Sequence, residues 1–364
     1  MNPLEDVRTD LALEAQQLAV RRGADVPGVS LVEKDLGYGI MTTLKVESDI
    51  GAQVMGKSKG TYVTIQAPDF QARRRELESD VSQVLAQTVK EYLSNLHIPP
   101  SAPVLVVGLG NWNATPDNVG PSTTAKILVT RHLHEYRVLT EELLGRMRPV
   151  AALSPGVLGL TGIETAEIIQ GVVQKIRPAL VICVDALAAM SVERLGTTVQ
   201  ISDVGINPGS GVGNKRMGLT QETLGVPVMA IGVPTVIYAT AIVSDALEAL
   251  ADRDDSASVG MPAQPGGTDG GSVLDPSKIV LGAPPAHIQS ERNPGQGRGN
   301  PFSAFDAARR KAVIQEVLGD SMGRLVVTPK DIDVMVDSLS DVLADGLNEA
   351  LHPGISAEEA AQLR

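Results

Sequence analysis

A chain of 364 residues can bury a substantial core, and with only nine Phe, Trp and Tyr residues that core must be built from Val, Leu, Ile, Ala and Met. A formal net charge of -12 argues against the basic face that nucleic-acid binding requires, and the scarcity of aromatics leaves no stacking platform for single strands. One cysteine, Cys183, excludes an internal disulfide framework and a thiolate metal cluster, and fits a reducing interior.

The N-terminus, MNPLEDVRTDLALEAQ, lacks the basic region and apolar run of a signal peptide. No stretch approaches the roughly eighteen unbroken apolar residues of a membrane span, so a soluble cytoplasmic protein is expected. Residues 1–10 are polar. From Leu11 to Arg22, by contrast, Leu11, Leu13, Ala15, Leu18 and Ala19 fall at amphipathic-helix spacing, with Thr9 or Asp10 where an N-cap would stand. Val29–Glu47 and Gly60–Ala67 read as strands on either side of a GAQVMGKSKG turn region, and Phe70–Leu96 as a long charged helix.

Beyond residue 100 the pattern alternates. Strands are expected at Val104–Val107, Val150–Leu153, Leu180–Val184, Thr198–Ser202 and Val226–Ile231, and helices near Thr123–Leu133, Glu164–Ile176 and Thr235–Leu250. Short apolar strands interleaved with helices predict a three-layer α/β/α domain around a mainly parallel sheet. From Arg253 to Pro301 the composition turns to Gly, Pro, Ser, Asp and Gln, which offers little apolar surface against the entropy of ordering and reads as a flexible insertion. Ala307–Leu318 and Asp331–Leu351 regain helical periodicity. The expected organisation is therefore a propeptide at 1–10, an α/β/α domain at 11–252, an insertion at 253–301 and C-terminal helices at 302–364 packing on the main domain.

Two carboxylates stand out. Asp117 lies in the Gly- and Asn-rich loop after the strand VLVVG, and Asp185 ends the strand ALVICVD. Both therefore fall beyond the carboxyl ends of strands, where open α/β sheets place their ligands. Two carboxylates at one crevice can divide labour, one kept protonated as an acid and the other ionised as a base. They could activate water and protonate a leaving amine.

Other motifs carry less. GLGNWN has Asn113 where a dinucleotide fingerprint needs its third Gly or Ala. GSGVGNK departs from a phosphate loop at Asn214 and Arg216. Asp203-Val204-Gly205 is similar to the Asp-Thr/Ser-Gly of pepsin-type proteases, but those are β-rich proteins and the likeness counts as a coincidence. His132 and His134, at i and i+2, do not share a helix face and make a poor metal clip. Glu164 is either a first-turn acid or part of the crevice wall. The loop GINPGSGVGNKRMGLT offers the backbone N–H groups of Gly209 and Gly211, and the cations Lys215 and Arg216, to an extended peptide.

Taken in order, VRTDLALEA, KSKGTYVT, LVVGLGNWNATPDNVGP, SPGVLGLTGIET, DALAA, ISDVGINPGSGVGNKR, IGVPTVI and VTPKDIDVMVDSLSDVLADGLNEALH resemble the spore germination protease family. The resemblance implies a fold like that of hydrogenase-maturation endopeptidases and an atypical aspartic peptidase with Asp117 and Asp185 as its catalytic pair. It implies small acid-soluble spore proteins as substrates, in the cytoplasm of the spore core, with no cofactor, no metal, no direct nucleic-acid partner and no membrane. It also implies a homotetramer made as a zymogen that cuts itself. Substrates of that family read Thr-Glu, an apolar residue, Ala, a small residue and Glu. Thr9-Asp10-Leu11-Ala12-Leu13-Glu14 imitates them, which places autoprocessing between Asp10 and Leu11. Two alternatives stay open: a metal-dependent peptidase related to the hydrogenase-maturation enzymes, and a nucleotide- or sugar-binding α/β enzyme using the Gly108 and Gly209 loops.

Overall fold

The computed structural model describes residues 9–21, 23–72, 74–207, 217–243, 246, 325–355 and 359–360. The chain divides into two compact units, Met1–Ile242 with Leu318–Arg364, and Val243–Val317; the sheet and the helices described below belong to the first. The expected insertion at 253–301 and the helix at Ala307–Leu318 lie outside the described residues.

Nine strands form one sheet among the described residues: β1 (Val29–Asp35), β2 (Ile40–Val46), β3 (Gly60–Gln66), β4 (Val104–Gly108), β5 (Val150–Leu153), β6 (Leu180–Ala189), β7 (Thr198–Ser202), β8 (Val228–Tyr238) and β9 (Val326–Val327). Their order is β1-β2-β3-β7-β8-β6-β4-β5, with β9 paired to β8. Only β5, β4, β6 and β8 run parallel to one another; every other pairing is antiparallel. The sheet is therefore mixed, which corrects the expectation of a mainly parallel one. Chain connectivity explains the difference, because the four residues between Asp35 and Ile40 are long enough only for a hairpin. The polar strand β7 then joins this antiparallel half to the parallel half, pairing with β3 on one side and β8 on the other.

The helices that accompany it among the described residues include α1 (Ala12–Arg21), α2 (Asp49–Met55), α3 (Arg75–Asn95), α4 (Val119–Ala125), α5 (Arg131–Glu135), α6 (Glu141–Leu144), α7 (Leu158–Thr161), α8 (Thr165–Ile176), α9 (Gln221–Leu224) and α10 (Ile332–Leu351). The alternation of side chains along β4 shows how they pack. Val104 and Val106 join a core with Leu85 and Val89 of α3 and Leu339, Leu343 and Leu347 of α10. Leu105 and Val107 face the other way, onto Ala166, Ile169 and Val173 of α8. Helices thus cover both faces of the parallel strands, and each fully buried aliphatic side chain contributes about 1.5–3 kcal/mol.

Two local expectations change. The stretch expected as a turn at GAQVMGKSKG opens with a helix, α2, because Ser48 accepts a hydrogen bond from the Gly51 N–H at 2.9 Å and so caps it. The helix expected from Thr235 begins only at Ala239, since the β-branched run around Pro234 extends β8 as far as Tyr238. Pro234 has no N–H to give to the ladder, and it pairs with Leu187 next to a register shift between Leu187 and Ala188.

Candidate active site

The site is built where β4 ends and β6 continues: the strand expected to stop at Val184 runs on to Ala189, because it keeps pairing with β8, so Asp185 lies inside β6 opposite Gly232 rather than beyond its end. Asp185 stands two residues beyond Cys183 on β6, so period-two alternation puts it on the face where Val181 and Cys183 meet α8. It is 6% exposed, and its Oδ1 accepts a hydrogen bond from the Ala186 N–H at 2.9 Å. Burial pushes the neighbouring Cys183 thiol up, with the Asp185 charge adding to the effect, so this cysteine is an inert core residue rather than a thiolate.

Asp117 arrives from the other strand. The Leu109 N–H donates to the Val184 carbonyl at 2.8 Å, which lashes the exit of β4 to the residue before Asp185. Gly110 then adopts φ +113, a left-handed conformation, and passes so close under Asp117 that a Cβ would sit 2.0 Å from its carbonyl oxygen. The turn closes when the Asn111 N–H donates to Asp117 Oδ2 at 2.8 Å. Helix α4 follows at once and lies directly on β4 through two glycines. A Cβ on Gly108 would meet the Gly120 carbonyl at 2.2 Å, and one on Gly120 would meet the Leu109 carbonyl at 2.2 Å and the Val184 carbonyl at 2.5 Å. These glycines serve a sharp turn and a close helix approach. From β8, Thr235 Oγ1 donates to the Pro116 carbonyl at 2.7 Å and holds the same loop from a third strand.

Asp117 and Asp185 line one cavity of about 740 Å³, and Thr9, Asp10, Lys57 and Gln200 line it with them. Thr9 and Asp10 are held along this cavity by hydrogen bonds to their main chain and to the Asp10 carboxylate. The Asp10 N–H donates to the Ala188 carbonyl at 3.0 Å, and the Ala188 N–H returns a bond to Asp10 Oδ2 at 2.9 Å. Lys57 Nζ donates to the carbonyl of Asp10 at 2.8 Å and to that of Thr9 at 3.1 Å. Gln200 spans the Asp10–Leu11 bond: its Nε2 donates to the Asp10 carbonyl at 3.3 Å, and its Oε1 accepts from the Ala12 N–H at 2.7 Å. Register puts Gln200 and Asp185 on either side of Gly232, one strand away each, and the Leu187 side chain packs against that glycine.

Glu14 anchors the far end. Its carboxylate accepts from the Met190 N–H at 2.8 Å and the Ser191 N–H at 3.0 Å, takes the Thr9 hydroxyl, and pairs with Arg194 Nε at 3.3 Å. Burial raises its carboxyl above the ordinary value, although the hydroxyl, the two amides and Arg194 all pull the other way. Lys57 shows the mirror case: burial lowers its amine below the ordinary lysine value, while Asp10 and Glu14 partly restore it. The helix start expected at Thr9 or Asp10 is also present in part. Thr9 Oγ1 accepts from the Leu11 N–H at 3.0 Å, and α1 begins at Ala12. Asp10, at a bend, and Leu11 thus form the segment leading into that helix.

The remaining sequence candidates divide. Glu164 is the N-cap residue of α8, and the cavity wall takes its neighbour Thr165 instead. Gly209, Gly211, Lys215 and Arg216 lie outside the described residues. Asp203 is structural, its Oδ1 accepting from the Thr61 N–H at 2.7 Å between β3 and β7. His134 Nε2 bonds the Met147 carbonyl at 3.0 Å, while His132 is exposed on the same short helix. Sequence reasoning missed Lys57, Gln200 and Arg194 as parts of the site. The available signal was a glutamine inside a buried strand, because a polar side chain at such a position must find a partner.

The mixed α/β fold brings Asp117 and Asp185 to the wall of one cleft that Thr9 and Asp10 also line, and two carboxylates at one cleft can divide acid and base duties. Comparison with known proteins gives the class as a peptidase. The germination protease family profile matches residues 7–259 and 290–364, and the chain belongs to that family. It is 44% identical to the germination protease of Bacillus velezensis over 97% of this chain and 95% of that protein. Identity to the germination protease of Bacillus subtilis is 41% over 97% and 95%, and to that of Clostridium tetani 40% over 97% and 98%. The protein is an endopeptidase of spore germination. No helix among the described residues is long and apolar enough to cross a membrane.

Proposed function

We propose that this endopeptidase hydrolyses the bond after an acidic residue with Asp117 and Asp185 as its acid and base, and that its first substrate is its own Asp10–Leu11 bond. The single observation behind this reading is that one cavity receives both carboxylates together with Thr9 and Asp10. Water adds to the carbonyl carbon as one ionised carboxylate takes its proton. The C–N bond then breaks as the protonated partner gives its proton to the leaving nitrogen. The products are a new carboxylate on Asp10 and a new amine on Leu11.

On this reading the full-length chain is a zymogen, residues 1–10 are its propeptide, and Thr9 and Asp10 lie along the cleft in the manner of a substrate. The external substrates are small acid-soluble spore proteins carrying the Thr-Glu-apolar-Ala-small-Glu pattern, met in the cytoplasm of the spore core. Helices on both faces of the parallel strands support a three-layer α/β/α arrangement related to the hydrogenase-maturation endopeptidases, working as a homotetramer. The division into a peptidase domain at 11–252, an insertion at 253–301 and C-terminal helices at 302–364 belongs to the same proposal.

The test is hydrolysis of a peptide containing Thr-Glu-Leu-Ala-Ser-Glu. Asp117→Asn and Asp185→Asn should each lower kcat by about 10²–10⁴. Wild-type rates in both variants would remove the pair from the mechanism. In parallel, the intact mass of the wild-type chain under mild acidification should fall by residues 1–10, and loss of a different segment would displace the cut site.

A further inference from the structure

The two proton-transfer groups leave one charge of the reaction unattended. When water adds to the carbonyl carbon of the bond to be cut, the π electron pair of that C=O moves onto its oxygen, which carries a negative charge until the C–N bond breaks. Donors already aimed at that oxygen stabilise this state more than the neutral amide, and so accelerate the reaction. We infer that Lys57 and Gln200 form the oxyanion site of this peptidase. This rests on the Asp10–Leu11 bond being a substrate of the same cavity.

Three observations converge on this assignment. Lys57 Nζ reaches the Asp10 carbonyl oxygen at 2.8 Å and Gln200 Nε2 reaches it at 3.3 Å, so two donors from different elements meet on the one atom where charge develops. The orientation of the Gln200 amide is fixed, because its Oε1 must face the Ala12 N–H at 2.7 Å, which leaves Nε2 toward the carbonyl. Gln200 is also held in place as part of the central sheet, flanked by β3 at Thr64 and by β8 at Gly232, and is only 8% exposed. A cationic donor adds charge that a backbone amide cannot supply, and burial makes that charge count for more. Lys57 also grips the Thr9 carbonyl at 3.1 Å, so it reads the main chain on the acid side of the bond irrespective of side-chain identity.

The geometry separates two jobs. Ala188 N–H, Met190 N–H, Ser191 N–H and Arg194 hold the side chains of Asp10 and Glu14, and so act in the bound state and the transition state alike. Lys57 and Gln200 hold the oxygen whose charge changes. Their loss should therefore appear in kcat.

The experiment uses full-length chains carrying Lys57→Met or Gln200→Glu, the latter isosteric with the native side chain. Intact mass followed over time gives the rate of self-cleavage. The peptide Thr-Asp-Leu-Ala-Leu-Glu, blocked at both ends, gives kcat and KM in trans. A phosphinate version of the same peptide, with a tetrahedral anionic group in place of the Asp-Leu amide, serves as inhibitor. The expected result is a fall of about 10²–10³ in kcat for each variant with KM within about threefold, and a comparable loss of affinity for the phosphinate but not for the uncleaved peptide. Wild-type kcat in both variants, a raised KM with unchanged kcat, or equal weakening of both ligands would overturn the assignment. Wild-type protein that does not cut between Asp10 and Leu11 would instead overturn the cleavage reading beneath it, a failure seen before any variant is made.

Discussion

Replacing Glu14 with alanine tests whether the N-terminal segment is held by recognition of its side chains or merely by proximity. The carboxylate meets the Met190 and Ser191 N–H groups at 2.8 and 3.0 Å and Arg194 Nε at 3.3 Å, and it is 1% exposed. Its removal leaves two amides and a 7%-exposed guanidinium facing an empty space, with long contacts from Arg194 to Gln66 at 3.4 Å and Gln17 at 3.5 Å left in compensation among the described residues. Removing one partner of a buried pair costs about 3–5 kcal/mol. Burial also disfavours this carboxylate, as its raised pKa records, so the lower end of that range applies. About 3 kcal/mol weakens docking by roughly two orders of magnitude. Native-state amide exchange on chains whose intact mass shows residues 1–10 still attached should find Ala12, Ala188, Met190 and Ser191 exchanging about 100-fold faster in Glu14→Ala. Val104–Val107 of β4 should keep their protection, because the loss is local. Unchanged exchange at Ala188 would refute the anchoring role, and equal loss along β4 would show that Glu14 supports the whole fold instead.

Two further outcomes follow from the packing. His352 is fully buried at the end of α10, its Nε2 donates to the Leu128 carbonyl at 3.0 Å, and burial, with Arg148 and His134 nearby, lowers its pKa to about 4. A histidine depressed in the folded state gives stability that is full above about pH 6.5 and lost as pH falls toward 4; His352→Leu should remove about 3 kcal/mol of acid sensitivity in urea midpoints across that window, and an unchanged slope would refute the assignment. Gly120→Ala should lift α4 from Leu109 beyond β4 and from Val184 of β6, displace Asp117, and lower kcat about 100-fold while the chain remains folded by circular dichroism; wild-type turnover would show that α4 does not set the position of Asp117.

The sequence was most informative where one segment carries its own signal. Strand β7 at Thr198–Ser202 falls on the residues expected, and α8 and α10 begin within one residue of theirs. Asp185 was visible because a carboxylate following an apolar run must face solvent or a site, and Asp117 because it stands in a Gly- and Asn-rich loop beyond a strand; both line one cavity. Features set by pairing were not legible. Whether Thr198–Ser202 would run with or against its neighbours depends on which strands flank it, and β3 and β8 lie far from it in sequence. Lys57 and Gln200 were hidden for the same reason, since they meet Asp10 across 47 and 190 residues. Helix α2 was missed because its cap, Ser48, and the glycine it holds look like turn residues when read singly.

The contact between Gly108 and Gly120 also limits how the protein can change. Most packing errors can be repaired by a second substitution that shrinks a neighbour. Here both residues are already the smallest available, and the atoms a Cβ on Gly120 would strike, the Leu109 carbonyl and N–H nitrogen and the Val184 carbonyl, all belong to the main chain. No side-chain replacement elsewhere makes room for them. A search for suppressors of Gly120→Ala should therefore return only true revertants, which makes this one position a fixed point in any sequence that keeps α4 where it is.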